Sequence, residues 1–120
     1  MMFTYKQALL AAYTILDDLY DQTKNESLAN LLSDMNPFIF TDRTPADPAT
    51  WSEWVVCAES IQNGGLLTAD NAFQTLNSFL YYNEQQYGYL TTLILDSIQT
   101  PSFQHRWNEL LDRVVKLKDV

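Results

Sequence analysis

Residues Leu28–Trp54 read LANLLSDMNPFIFTDRTPADPATWSEW, and the fold turns on how this stretch is parsed. Leu28, Leu31, Leu32 and Met35 recur at three- and four-residue steps and predict one side of a short helix over about Glu26–Met35. Asn36-Pro37 ends it, because proline lacks the N–H that would extend the ladder and pushes the residue before it out of the helical region. Phe38, Ile39 and Phe40 follow as an extended apolar patch, too short for a sheet, expected to tuck into a helical core or stand as a single strand. After a polar turn over Thr41–Ala46, Asp47 caps and Pro48 opens a third helix, with Thr50 and Glu53 as a competing capping box. Either start places Trp51, Trp54, Val55, Ala58 and Ile61 on one face, and Asn63-Gly64-Gly65 offers a left-handed stop. Two tryptophans, each able to bury roughly 150–250 Å², make this stretch the keystone of a core or the rim of a binding surface.

The flanking sequence is amphipathic helix. Thr4 and Gln7 fit a capping box, and Leu9, Ala12, Tyr13, Leu16, Leu19 and Tyr20 form a stripe over about Thr4–Lys24, with Asp17, Asp18 and Asp21 opposite. Thr68 is the expected cap of a fourth helix running to about Gln86, with Asp70 in its first turn and Ala69, Ala72, Phe73, Leu76 and Leu80 as its stripe. Gly88 marks a break before Tyr89–Ile98, which is apolar nearly all round and expected at the centre. Thr100-Pro101 opens a last helix with Phe103, Trp107, Leu110, Val114 and Leu117 at heptad-like steps, enough for bundle packing or for a homo-oligomer joined through that stripe. The predicted architecture is one all-α domain over residues 1–120. It is a compact bundle of five to six helices with an irregular, proline-containing loop between helices 2 and 3.

Composition supports that class. A chain of 120 residues suits a single core. Hydrophobic content of 47% argues against disorder despite a net charge of −8, and three Gly with four Pro are too few for the turns of an all-β fold. Seven Lys+Arg against 15 Asp+Glu leave no basic footprint for nucleic acid or anionic membrane. The charge is uneven: residues 1–100 hold 3 basic and 12 acidic groups, so an acidic body suits a basic protein partner as well as plain solubility. Cys57, the one cysteine, excludes an intramolecular disulfide and a cysteine-based zinc site. MMFTYKQALLAAY lacks a signal-peptide pattern, and no window approaches the ~18 apolar residues of a membrane span. The expected location is cytoplasmic.

Catalytic chemistry is sparse. His105 lies four residues before Glu109 with Asp112 three further on, a spacing that allows a metal or proton-transfer site but equally an exposed helix pair. Asp17 and Asp21 share a face that a hard cation could use, yet it is the polar face of a clean stripe. No nucleophile stands in a recognisable frame, and no lysine follows Gly64-Gly65 to make a phosphate loop. No cofactor is implied. Tyr81, Tyr82, Tyr87 and Tyr89 cluster around Gly88, either as a recognition surface or as a roof over the core.

Leu31-Leu32, Met35-Asn36, Asp42, Ala46-Asp47-Pro48-Ala49, Trp51 and Trp54, followed by Leu67-Thr68, Ala72-Phe73 and Leu80, resemble a pattern in small uncharacterised helical proteins of Gram-positive bacteria, over residues 28–80. Where that pattern has a glycine after the loop aspartate, this chain has Arg43. The resemblance carries no activity. The leading functional expectation is a non-enzymatic bacterial protein-interaction domain whose contact region comprises Phe38, Phe40, Asp42, Asp47, Trp51 and Trp54, aromatic residues being enriched at binding hot spots. Rival expectations are an immunity or antitoxin role against a basic toxin, acting through Asp17–Asp21, and a small metal-dependent hydrolase using His105/Glu109 or the aspartates.

Overall fold

Helix α1 (Tyr5–Thr23) begins where Thr4 and Gln7 satisfy each other: Thr4 Oγ1 accepts from the Gln7 amide at 3.0 Å, and Gln7 Oε1 accepts from the Thr4 amide at 2.8 Å. This is the reciprocal cap that the spacing predicts. The computed structural model describes residues 1–88 and 92–117, of 92–94 the backbone only. It is an all-α bundle: α1 is followed by α2 (Glu26–Met35), α3 (Pro48–Ile61), α4 (Ala69–Tyr87), α5 (Thr92–Ser97) and α6 (Pro101–Val114). Four further helix starts carry a side-chain cap. Asn25, Asp47, Thr68 and Thr100 each accept a first-turn amide in α2, α3, α4 and α6, and Pro48 and Pro101 sit where a missing N–H costs nothing. Such a cap contributes about 1 kcal/mol.

Helix α1 is the hub, packed against α2, α3, α4 and α6. Its stripe is wider than expected, with Ala8, Ala11 and Ile15 joining Leu9, Ala12, Leu16 and Leu19 in one contiguous core. The radius of gyration, 13.1 Å, matches the roughly 13–14 Å of a single domain of this size. Two residues before α1, Phe3–Thr4 (β1), pair antiparallel with Leu66–Leu67 (β2), Phe3 opposite Leu67. So short a ribbon has no sequence period to betray it.

Trp54 resolves the ambiguity of its stretch. It is fully buried, its indole stacks edge-on to Phe79 of α4 at 5.2 Å, and Nε1 donates to the Tyr5 carbonyl at 2.9 Å. One side chain thereby joins α1, α3 and α4. Trp51 is half-buried against the same core.

Three expectations are corrected. Phe38, Ile39 and Phe40 neither enter the core nor form a strand; they stand 59%, 61% and 45% exposed. Gly64 and Gly65 do not cap α3, which ends at Ile61 on an extended Gln62; their positive φ values (118° and 85°) instead turn the chain into β2. The stripe proposed for a homo-oligomer is used within the chain: Phe103, Trp107, Leu110 and Val114 are buried in the core, and of the five only Leu117 is exposed. Of Tyr89–Ile98, expected at the centre, Ile98 is buried and Leu95 packs partly against the core, while residues 89–91 and the side chains of 92–94 lie outside the described residues. Gly88, at φ 64°, caps the C-terminus of α4.

Two buried polar groups frame the packing of α6. Gln7 Nε2 donates to the Val114 carbonyl at 3.3 Å and the Leu117 carbonyl at 3.4 Å, tying the end of α6 to the start of α1. Trp107 Nε1, by contrast, is buried among the described residues without an acceptor, which costs about 1–3 kcal/mol. Replacing Trp54 by phenylalanine removes the donor to the Tyr5 carbonyl and empties part of the space the indole fills, and is expected to destabilise by about 1–3 kcal/mol. Trp107→Phe empties similar space but removes a donor that has no acceptor among the described residues, and is expected to destabilise by less than Trp54→Phe. Urea unfolding of both variants measures the difference.

Candidate functional site: the apolar loop between α2 and α3

The chain between α2 and α3 is an irregular loop closed at its base. The Ala46 amide donates to the Asn36 carbonyl at 2.9 Å and the Asp47 amide to the Asp34 carbonyl at 3.0 Å, so the two ends run side by side. Pro37 and Pro45, near the two ends, are buried, whereas Phe38, Ile39 and Phe40 between them face solvent. The prolines fix φ and need no hydrogen-bond acceptor, so they plug the loop into the fold while the triplet is turned outward.

Local polar side chains set the interior of the loop. Asn36 Oδ1 accepts from the Phe38 amide at 2.9 Å, and Asp42 Oδ1 accepts from the Thr44 amide at 3.0 Å and the Thr44 hydroxyl at 2.7 Å. These are Asx turns, which let a short side chain replace a missing backbone partner. The Thr44 hydroxyl, then the Thr44 amide, hold the Asp42 carboxyl below the ordinary carboxylate range. Arg43 occupies the left-handed region at φ 65°. A glycine there would be free of that strain. Arg43 brings in return a guanidinium 5.6 Å from the centre of the Phe38 ring, a cation–π arrangement worth about 0.5–1 kcal/mol at an exposed site.

The loop rests on the flank of α1. Tyr13 meets Phe38 edge-to-face at 5.8 Å, and Lys6 Nζ donates to the Asp42 carbonyl at 2.8 Å. Burial, and secondarily the charge of Asp17, push the Tyr13 hydroxyl above its usual range. Lys6 and Tyr13 lie seven residues apart, two turns on one face of α1, but nothing in the sequence reveals that this face meets the loop.

The six candidate contact residues therefore divide. Phe38, Phe40 and Asp42 share the solvent-facing loop. Asp47 works at its base, Oδ1 accepting from the Ala49 amide at 2.9 Å. Trp51 is half-buried, and Trp54 is inaccessible to any partner.

Other candidates from the sequence are spread elsewhere. His105 meets Glu109 at 3.0 Å on an exposed face, and Arg106 lies 3.7 Å from the same carboxylate and 3.1 Å from Asp18. Asp21 sits 3.7 Å from Lys24. The described residues contain no group of three or more His, Cys, Asp or Glu placed to hold a metal. An open hollow of about 560 Å³ between α1 and α6 includes Asp18 and Arg106, already paired with each other. On the opposite side, Tyr81, Tyr82 and Tyr87 are exposed; Tyr87 Oη donates to Glu53 Oε1 at 2.8 Å and its ring meets Tyr82 at 6.5 Å. Tyr89 lies outside the described residues. Cys57, buried nearby, has its thiol pushed up by burial, an effect opposed by a Ser78 hydrogen bond and reinforced by Glu53.

No helix among the described residues is long and apolar enough to cross a membrane. Comparison of the chain with family models, curated proteins and solved structures returns no match.

Asp42 gives a direct check on the loop. Its folded pKa is lowered, so its contribution to loop order is present above the unfolded value of about 3.9 and is lost as pH falls through the folded value. A carboxyl-carbon NMR titration is expected to place the Asp42 midpoint below about 3.9, and Thr44→Val is expected to move it back up.

Proposed function

We propose that this protein acts by binding another protein, and that the loop carrying Phe38-Ile39-Phe40 is its contact element. One observation carries this reading: three consecutive apolar side chains are held in solvent by a loop fastened at both ends. Runs of exposed apolar residues are unfavourable unless a partner covers them. Here the fastening prevents the triplet from collapsing inward.

The energetics suit a preorganised anchor. Roughly half the surface of each side chain is still open, so covering the triplet contributes of order 1 kcal/mol per residue, about 3–4 kcal/mol together. Association itself costs about 4–15 kcal/mol, so a stable complex also covers neighbouring surface such as the Tyr13 flank of α1. Because the Asx turns and base hydrogen bonds already order the loop, little further entropy is lost on docking. The implied partner presents a concave apolar pocket. A cytoplasmic setting for the complex is part of this proposal.

Exchanging Phe38, Ile39 and Phe40 for serine tests the proposal. Phe38 gives up its contacts with Tyr13 and Arg43, so the variant is expected to lose about 1–2 kcal/mol of unfolding stability while remaining folded. Capture from the native host with parent and variant in parallel is expected to yield a protein retained by the parent and lost from the variant. Identical captured sets from two folded proteins would overturn the reading.

A further inference from the structure

The turn between α3 and β2 carries a chemically reactive pair, Asn63-Gly64. The chain has eight asparagines, and Asn63 is the one followed by glycine. A glycine leaves its own nitrogen open to attack on the preceding side chain, because no Cβ stands in the way. The other seven are placed differently. Asn36 precedes Pro37, whose nitrogen has no hydrogen to lose. Asn30 lies inside α2 and is followed by Leu31. Asn25, Asn71, Asn77, Asn83 and Asn108 each hold the side-chain amide in a hydrogen bond. Asn63 lies outside the helices, it and Gly64 are exposed, and Gly64 stands in open space. Among the described residues neither the Asn63 side chain nor the Gly64 amide has a hydrogen-bond partner.

The pair is bracketed by one side chain. The Tyr5 hydroxyl donates to the Gln62 carbonyl at 2.9 Å and accepts from the Gly65 amide at 3.3 Å, so both anchors lie immediately outside Asn63 and Gly64. Immediately after them come Leu66 and Leu67, paired with Thr4 and Phe3. The length of main chain between Gln62 and Gly65 is therefore set by a fixed object, the Tyr5 oxygen.

We propose that Asn63 is a site of spontaneous deamidation in the folded protein, with water as co-reactant, and that its isoaspartyl product loosens the Tyr5 bracket. The Gly64 nitrogen gives its proton to hydroxide and attacks Asn63 Cγ. The new N–Cγ bond closes a five-membered succinimide, and the Cγ–Nδ2 bond breaks, Nδ2 taking a proton from water and leaving as ammonia. Water then opens the ring at either carbonyl. Opening at Cγ gives aspartate on an unchanged main chain. Opening at the backbone carbonyl gives isoaspartate, whose main chain runs through Cβ and Cγ and is one atom longer. Either product adds a negative charge, and loss of ammonia makes the change irreversible in dilute solution. Only the second product displaces the Gln62 carbonyl from the Gly65 amide, so the two hydrogen bonds to Tyr5 are no longer made together. This inference does not rest on the loop between α2 and α3.

The test holds the whole protein at mildly alkaline pH and follows it by intact-mass and fragment mass spectrometry. The first mass gain, that of one amide-to-acid exchange, is expected at Asn63. Its rate is expected to rise about tenfold per pH unit, as the ionised fraction of a very weak acid does. Asn63→Ser, a change at an exposed side chain with no hydrogen bond, is expected to fold and to lose that gain. The isoaspartyl form, separated by ion exchange, is expected to melt about 4 °C below the parent, the shift that loss of one hydrogen bond gives in a domain of this size. Asn63→Asp adds the charge without the extra atom, and is expected to melt within about 2 °C of the parent. A first gain at another asparagine, or a folded protein that stays unchanged while its denatured chain converts, would overturn the site. An isoaspartyl form melting together with Asn63→Asp would overturn the role of the Tyr5 bracket.

Discussion

The contact from the Trp54 indole to the Tyr5 carbonyl governs how the rest of the molecule is assembled. It is made where α1 begins, inside the core, between residues 49 positions apart. A buried indole N–H without an acceptor is costly; the Tyr5 carbonyl supplies one, and the indole is itself wedged against Phe79. The register of α3 on α1 therefore fixes that of α4. The Tyr5 side chain reinforces the junction, its hydroxyl donating to the Gln62 carbonyl at 2.9 Å and accepting from the Gly65 amide at 3.3 Å. Gln62 completes it, Oε1 accepting from the Thr68 amide and Asn71 Nδ2, which places the start of α4.

This arrangement explains why the loop before α3 is presented outward. With Trp54 committed to the interior and Asp47 capping the helix, the N-terminus of α3 is fixed. The loop must span from there back to the end of α2, whose Leu28, Leu31, Leu32 and Met35 are also buried. Pro37 and Pro45 fill the available interior positions between these fixed points. Phe38, Ile39 and Phe40 are left outside, supported by Tyr13 and Arg43 but not enclosed.

Much of this was legible in the sequence where the determinants are local. Thr4 with Gln7, Asp47-Pro48, Thr68 and Thr100-Pro101 each mark a helix start through hydrogen bonds spanning two or three residues, and the structure has helices at all of them. The buried faces of α1, α2 and α6 follow from periodicity for the same reason. What depends on distant partners was not legible. The hydrophobicity of Phe38-Ile39-Phe40 points inward, and only the closed base of the loop and the buried prolines turn it outward. The pairing of Phe3 with Leu67 is too short to leave a pattern. Trp51 and Trp54 look equivalent in sequence, but one carries an indole donor that finds a carbonyl across the core and the other lies at its margin. The same locality explains the divided candidate site: Phe38, Phe40 and Asp42 sit together in one short segment, whereas Trp54 is drawn into the core by partners on α1 and α4.

The uninterrupted absence of lysine and arginine from Thr44 to His105 also constrains covalent chemistry on the chain. Neither α3 nor α4 offers a lysine amine for acylation, methylation or conjugation to a modifier protein, so any such mark on a lysine must fall on Lys6 in α1, on Lys24 just after it, or on Lys116 and Lys118 after α6. A trypsin-like protease cutting after basic residues has one cleavage point in the apolar loop, Arg43, and none again before Arg106. Nicking at that single bond would open the loop while leaving the central helices as one intact fragment.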